Sequence, residues 1–551
     1  MSVCPALETS AESVGAWRIL PMRHGAVLLE LADLKQTLAL YDALCRQNLA
    51  GIREIIPAAR TVMIEFDPAL LSLETLATTL RGLDTAETAS QAGACIEIPV
   101  RYDGEDLSDV AEVLNMSPEE VVRRHTGHDY LVAFTGFAPG FAYLAEGDPR
   151  LVVPRRKSPR TLVPAGSVGL AGAFSGIYPK ASPGGWQLIG TTPLALFDID
   201  RQPAALLQPG QRVRFVDMAK DAAYAVQGDG RETSFSKRAT APGAQPGNAI
   251  EVLSVGLPVL FQDLGRAGLV AQGISRSGAA DRESLKAANR LVGNPAETAA
   301  LEITLGGFSF RMRGQGVMAV AGALVEITIT TAAGGVIKAP HHAAVALEEG
   351  DSVTLSSATV GLRAYLALRG GFDIAPVLAS RSTDMLAQIG PEPLKAGEVV
   401  AIANAPSGSP VALAETPAFV MPRAGEVVTL DIVFGPRTDW FTEASVTRFL
   451  SQEWAVSAQS SRVGIRLEGE ALERKVTGEL PSEATLRGAI QVPASGQPVL
   501  FLVDHPLTGG YPVIGNVAGH HLDLAGQIPP GARIRFRAAA PFAPHFLQGQ
   551  P

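Results

Sequence analysis

One phrase occurs twice in this chain, as SPGGWQLIG at 182–190 and as LTGGYPVIG at 507–515. A short glycine-rich match arises easily by chance, but here the flanks repeat too. PGQRVRF (209–215) follows the first copy and PGARIRF (530–536) the second, while Gly166-Ser-Val and Gly488-Ala-Ile precede them at comparable distances. A further echo joins PVLFQD (258–263) to PVLFLVD (498–504). The first three matches keep one order and read as related β-rich units, each closing on the strand after a Pro-Gly turn. This predicts that 166–216 and 488–536 are equivalent barrel elements, with Trp186 and Tyr511 in matching places.

A chain of 551 residues exceeds what one core supports. Its 56 glycines and 39 prolines, against 6% aromatic residues, fit turn-dense β structure. A net charge of −9 gives no reason to expect nucleic acid, and no Lys/Arg run marks a membrane surface. No apolar stretch approaches the ~20 residues that span a bilayer. The opening MSVCPALETSAESVGAW lacks the basic-then-apolar order of a signal peptide. Cys4, Cys45 and Cys95 fall early in the chain without metal-like spacing, as expected for reduced, structural thiols in the cytoplasm.

The predicted fold class is mainly β with an α+β N-terminal part. GAVLLEL (25–31), the helical LKQTLALYDALCRQN (34–48), the pair IREII and TVMIEF, the helical LSLETLATTLRGL (71–83) and a closing CIEIPV give βαββαβ order. Residues 1–95 are thus expected to be a ferredoxin-like domain and 96–222 a barrel. Residues 223–247, without apolar rhythm, are expected to be a linker. Two further β-barrel domains are expected at 248–420 and 421–551. Helices are predicted at SPEEVVRRHTG (117–127), at AADRESLKAANRLVG (279–293) with Gly293 as its C-cap, and at TDWFTEASVTRFLS (438–451).

Chemistry is densest between 125 and 190. His125 precedes FTGFAPGFAYL, then Arg155, Arg156, Lys157 and Arg160 sit among prolines, followed by Tyr178 and the Gly184-Gly185 turn. Glycines expose backbone N–H groups, and guanidinium forks match carboxylate or phosphate oxygens. His125 is a candidate proton carrier. The same residues also suit a turn-rich barrel with a solvated arginine rim. In the second half Asp263, Arg266, Asp281, Asn289, Arg381, Asp504, Gly509, Gly510 and Tyr511 form a parallel set. Asp263 and Asp504 each follow an apolar strand, where an aspartate is equally a turn cap. His341 and His342 lie before an apolar strand, where neighbouring side chains would point to opposite faces, a poor geometry for chelation, and no metal site is expected.

Several signatures are missing. No Gly-Lys pair occurs, so an ATP site here is not a P-loop. There is no Met-Lys-Met biotin attachment site and no Gly-Gly-Ser-Ser amidase signature. AGSVG (165–169) has Ala where a nucleophile elbow has Gly.

GFAPGFAYL, VPRRKSPRTLVPAGSVG, GIYP and SPGGWQLIG resemble the carboxyltransferase subdomain C/D family, which includes KipI and the B component of 5-oxoprolinase. QDLGRAGLVAQGISRSGAADRESLKAANRLVGN, LEITLGG, RAYLALRGGFD, FGPRTDWF and GAIQVPASGQPVLFLVDHPLTGGYPVIG resemble the subdomain A/B family of KipA and the C component of 5-oxoprolinase. The resemblance runs in B-then-C order along essentially the whole chain and implies cyclophilin-like β-barrels, one in the first half and a related pair in the second.

It also implies work with a separate A component, a LamB/YcsF-like protein, in the ATP-dependent opening of 5-oxo-L-proline to L-glutamate. ATP with Mg is then a co-substrate, and homo-oligomers are possible. By resemblance the site residues are His125, Arg155, Arg156, Arg160, Tyr178, Gly184 and Gly185, together with the second-half set above. One departure stands out: the family has Arg after the aspartate of its D-R-x-T-T-G-G-Y motif, where this chain has His505, with Leu507 two places on. The alternatives are a biotin-dependent carboxyltransferase of the urea carboxylase type, served by a separate biotin carrier, and a non-enzymatic sensor-kinase regulator like KipI and KipA.

Overall fold

The structure is a computed structural model that describes residues 17–83, 95–220, 235, 247–405 and 409–539. The predicted linker falls almost wholly outside the described residues, as does Cys4; Cys45 and Cys95 are free thiols.

The N-terminal domain is a four-stranded antiparallel sheet in the order β1 (Arg18–Arg23), β2 (Ala26–Glu30), β4 (Thr61–Phe66), β3 (Ile52–Pro57). Helices α1 (Leu34–Gln47) and α2 (Leu73–Arg81) cover it. Asp33 and Ser72 cap these helices by accepting the Gln36 and Thr75 amides at 2.8 and 3.1 Å. Leu40, Leu44, Leu76 and Leu80 pack against Val27, Leu29, Val62 and Ile64. One expectation is corrected. The closing strand, β5 (Ile96–Val100), leaves this sheet and pairs in parallel with β13 (Arg212–Asp217) of the next unit. Its place beside β2 is taken by β1, in register Arg18↔Glu30. Apolar residues at Ile98 and Val100 find a larger core in the barrel.

The first barrel runs β5, α3 (Leu107–Leu114), α4 (Pro118–Thr126), β6 (Asp129–Thr135), β7 (Ala142–Ala145), β9 (Ser167–Ala171), β10 (Phe174–Ile177), β12 (Gln187–Thr191) and β13. Two short strands, β8 (Arg160–Val163) and β11 (Ser182–Gly184), form a separate ribbon. The sheet order is β12-β9-β10-β7-β6-β13-β5, and an Arg101↔Thr191 bridge joins its two ends.

The last unit is a closed barrel. Taken from Val427–Phe434, its cyclic order is Val513–Val517, Ala489–Gln491, Val499–Phe501, Gly464–Glu468, Trp454–Val456, Arg533–Ala538. Matched to β5, β12, β9, β10, β7, β6 and β13, this is the same winding. The single parallel contact also recurs, Val213↔Ile96 in one and Val427↔Arg533 in the other. The glycine ribbon recurs as Glu483–Ala484 paired with Thr508–Gly509. Gly166 and Gly488 open equivalent strands with φ of 79° and 94°, a left-handed conformation that only glycine adopts cheaply. The sequence repeat is therefore a structural one.

The middle unit differs from the expected related barrel. Residues 249–401 form a six-stranded and a five-stranded sheet, antiparallel throughout, around one core that includes Phe261, Phe308, Phe310 and Leu366. PVLF at 258–261 lies on an edge strand, Val259–Gln262, paired only with Ala300–Thr304. Helix α5 (Arg282–Val292) packs on the five-stranded sheet through Leu285, Ala288 and Leu291. An apolar seam of Met22, Leu28, Ile56, Met63, Leu486 and Leu507 ties the N-terminal sheet to the last barrel.

Candidate functional site between the two halves

Helix α4 decides what His125 can do. Ser117 caps it by accepting the Glu120 amide at 3.3 Å, and its period turns Val121, Val122 and His125 inward. His125 is fully buried. Nδ1 lies 2.7 Å from the Tyr102 hydroxyl, Nε2 lies 2.9 Å from Ser175 Oγ, and the ring stacks on Phe215 at 4.1 Å. Burial pulls its pKa down to about 3, so the ring stays neutral at physiological pH. The expectation of a ligand-facing proton carrier is corrected: His125 is a satisfied core histidine.

Arg156 and Arg160 are likewise engaged. Both converge on Asp106, whose carboxylate accepts Arg156 Nη1 at 2.5 Å, Arg160 Nη2 at 2.8 Å and the Leu188 amide at 2.7 Å. Asp106, the residue just before α3, escaped the sequence reading; its signal was an acidic residue at a helix start. Arg155 is different. Its guanidinium has no hydrogen bond or ion pair among the described residues, and a Cβ on Gly510 would lie 3.2 Å from its Nη1. The Arg156 amide next to it donates to Gly185 O at 2.8 Å. Arg155 therefore reaches from beside one Gly-Gly turn to the other.

The turns themselves are tightly built. A Cβ on Gly184 would collide with the Tyr178 hydroxyl, and one on Gly509 would meet Gln491 Nε2 at 2.5 Å. Tyr178 is buried, which pushes its pKa up to about 12. Tyr511 is 47% exposed, whereas its counterpart Trp186 is only 6% exposed. Thr508 Oγ1 accepts the Phe137 amide at 3.1 Å, binding the second-half turn to the loop after β6. Phe137 holds φ of 62°, a strained value for a non-glycine residue.

Below this junction lies buried charge. Arg462 grips Asp504 at 2.9 and 3.0 Å and also reaches Glu302. Asp504 further accepts Ser277 Oγ at 2.6 Å and the Met385 amide at 3.1 Å. Asp384 accepts Ser275 Oγ at 3.2 Å and the Ala387 amide at 2.8 Å. Burial, then the charge of Asp504, push the Asp384 pKa up to about 6. Lys180, two residues beyond Tyr178, donates across the junction to Leu386 O. Arg266 donates to Ser382 O, and its Nε and Nη1 are buried without partners. Asp384 and Lys180 carry no local sequence signal, because only the docking of the halves makes them neighbours.

The remaining candidates scaffold this region. Asp263 accepts the Arg381 amide at 2.6 Å and Ser380 Oγ at 2.7 Å. Asp281 caps α5 through the Ser284 amide at 2.9 Å, and Asn289 donates to Thr298 O at 2.7 Å. The Arg381 side chain is exposed, with Nε donating to Ile374 O at 2.8 Å. Asp263, Asp281 and Asn289 are buried on partners from their own chain, so the expected ligand contact is corrected for these three. Leu507 sits in the apolar seam and His505 is buried, its Nδ1 2.9 Å from Pro506 O. The departure from the arginine motif thus faces the interior.

Among the described residues one His/Asp group, Asp431–His520–His521, has ligand atoms within 4.8 Å of one another. Arg537 already holds Asp431 at 2.6 Å, and His521 Nδ1 accepts the Asp431 amide at 2.9 Å. A cavity of about 710 Å³ beside Asn248, Gln315, Arg369 and Asp373 shares no residue with the junction. Among the described residues no helix is long and apolar enough to cross a membrane.

Comparison with known proteins adds to this geometry. Residues 17–207 match the carboxyltransferase domain, subdomain C and D, and residues 272–538 match the carboxyltransferase domain, subdomain A and B. The 5-oxoprolinase B subunit of Bacillus subtilis is 51% identical over 128 residues, 23% of this chain and 53% of that protein, so the match spans about half its length. The 5-oxoprolinase C subunit of Escherichia coli is 34% identical over 290 residues, covering 52% of this chain and 90% of that protein. Urea amidolyase of Saccharomyces cerevisiae is 32% identical over 307 residues, 52% of this chain but 16% of that protein. The crystal structure of TTHA0988 superposes with a TM-score of 0.80 at 35% identity, over 93% of this chain and 99% of that one. The chain belongs to the carboxyltransferase-domain family, with subdomains C and D in its first half and A and B in its second.

Proposed function

We propose that this chain is the fused B and C component of an ATP-dependent 5-oxoprolinase, acting with a separate A component. The carrying observation is the consecutive likeness, within one polypeptide, to proteins named as the B and C subunits of 5-oxoprolinase. The overall change takes 5-oxo-L-proline, ATP and water to L-glutamate, ADP and phosphate, with one water opening the ring and another ending on phosphate. Lactam resonance makes direct hydrolysis slow, and transfer of the γ-phosphoryl group to the carbonyl oxygen creates a leaving group. The unpaired Arg155 between the glycine turns suits a carboxylate or phosphate oxygen. Magnesium would arrive with the nucleotide.

The test is glutamate release by the purified chain with and without the A component, with ATP hydrolysis followed in parallel. Turnover is expected only with both proteins and ATP present. Robust release by this chain alone would refute the two-component reading. The likeness to urea amidolyase keeps a second reading, carboxyl transfer from a biotin carrier to a urea-type acceptor. It predicts decarboxylation of carboxybiotin by the chain, whereas the first predicts none. A sensor-kinase regulator ranks last, because one polypeptide would then fuse an inhibitor to its antagonist.

A further inference from the structure

His341 and His342 lie in the turn between the strands Val336–Ala339 and Val345–Leu347 of the middle unit. The expectation that neighbouring histidines diverge assumed extended backbone, and it is corrected here. His342 holds φ of 53°, in the left-handed region, and the two rings come together with centroids 4.7 Å apart. Backbone bonds fix this turn: the His342 amide donates to Val320 O at 2.9 Å, and His342 O accepts the Glu415 amide at 3.0 Å. His341 Nε2 lies 3.1 Å from Ala323 O. A carbonyl only accepts, so that nitrogen carries the hydrogen and Nδ1 keeps its lone pair. His341 Nδ1 and both ring nitrogens of His342 are shielded from solvent with no hydrogen-bond partner among the described residues. His342 is only 6% exposed, whereas His341 stays half-buried and leaves one side of the pair open.

We propose that His341 and His342 form a two-histidine site for a borderline divalent transition-metal ion of the zinc, nickel or copper(II) type. A buried polar atom left unpaired costs ~1–3 kcal/mol, and a metal ion takes up lone pairs that no donor here uses. Two imidazoles in neighbouring positions on one ion, each bound at ~2.0–2.1 Å, put their ring centres roughly 4.5–5.2 Å apart. The separation of the two rings falls in that window. His341 also makes the outer hydrogen bond, from the far ring nitrogen to a carbonyl, that orients metal-binding imidazoles. Burial first, then the charge of His342, pull the His341 pKa down to about 4, so protons do not compete for the lone pair at neutral pH. Nitrogen donors without a carboxylate suit this class of ion and not magnesium or calcium. The acid beside the pair, Glu415, is held by Arg290 Nε and Nη2 at 2.8 and 2.7 Å. The remaining coordination positions fall to water on the open side of His341. The Asp431 group differs, because the His521 Nδ1 lone pair already accepts an amide. The pair shares no residue with the junction, so it stands or falls separately from the reading of the reaction.

The test uses the untagged full chain carrying His520→Gln, which removes the exposed histidine beside Asp431. Zinc chloride is titrated by calorimetry, and copper(II) at one equivalent is read by electron paramagnetic resonance. One saturable zinc equivalent is expected, with copper coupled to two imidazole nitrogens. His341→Gln keeps a donor for Ala323 O, and His342→Asn keeps a residue that tolerates left-handed backbone. Each should weaken zinc at least tenfold and leave copper coupled to one nitrogen, with unchanged melting in EDTA showing intact folding. No saturable zinc binding by the parent, or a loss below tenfold in either variant, overturns the proposal. The parent's copper spectrum needs no variant, and coupling to fewer than two nitrogens overturns the proposal by itself. Displacement of zinc by excess magnesium overturns the assignment to this class of ion.

Discussion

The first and last barrels wind the same way yet place their charges differently. In the first, the rim arginines stay partly open: Arg156 and Arg160 expose 33% and 17% of their side chains over a nearly buried Asp106. In the last, Arg462 and Asp504 are sealed against Glu302 of the middle unit, with side-chain exposures of 6%, 0% and 0%. One scaffold thus carries its charges once on a partly open rim and once on a sealed docking face. The two barrels meet at one junction, with Arg155 from the first reaching the glycine turn of the second.

The sharpest way to break this comparison is to remove the sealed charge. Arg462→Leu leaves Asp504 and Glu302 buried without their cation and is expected to cost ~3–5 kcal/mol. Urea unfolding measures it, and a cost no larger than that of Arg156→Ala would erase the distinction. Arg155→Ala should leave the melting temperature in place and weaken substrate binding by ~1.5–3 kcal/mol, roughly ten- to a hundredfold in affinity. Wild-type Michaelis constants in the reconstituted complex would mean that the free arginine is only rim.

Two buried groups tilt stability with pH in opposite directions. His125 stays neutral in the fold down to about 3, while the unfolded chain protonates it below ~6.5. Stability is then lost as pH falls from ~6.5, by at most ~1.4 kcal/mol per pH unit. Asp384 keeps its proton in the fold up to about 6, while the unfolded chain releases it near ~3.9. That contribution is lost as pH rises between those values. Melting temperatures from pH 4 to 7 should show His125→Gln flattening the acid loss and Asp384→Asn steepening it. Parallel profiles would remove both assignments.

The smallest effect compares the two glycine turns directly. Gly184→Ala drives a Cβ against the buried Tyr178 ring and is expected to cost ~1–3 kcal/mol. Gly509→Ala meets only the end of the Gln491 amide and should cost less than ~1 kcal/mol. Equal losses in melting temperature would show that both turns are equally rigid.

The repeat itself determined much of this protein: two barrels of one winding, with matched ribbons and Pro-Gly turns, because hydrophobic alternation and turn glycines are local properties. The cap at Ser117 was legible for the same reason, whereas Asp281 caps its helix where the sequence suggested a ligand contact. The exit of β5 from the N-terminal sheet was not, since a run such as IEIPV suits either partner and the larger core decides. Nor was the fate of the charged residues. Residue type marked His125, Arg155 and Arg156 alike, but only packing buried the first, freed the second and tied the third to Asp106. Burial and partners arise from contacts far apart in the chain, and these set which group stays charged, which turns neutral and which remains open to a ligand.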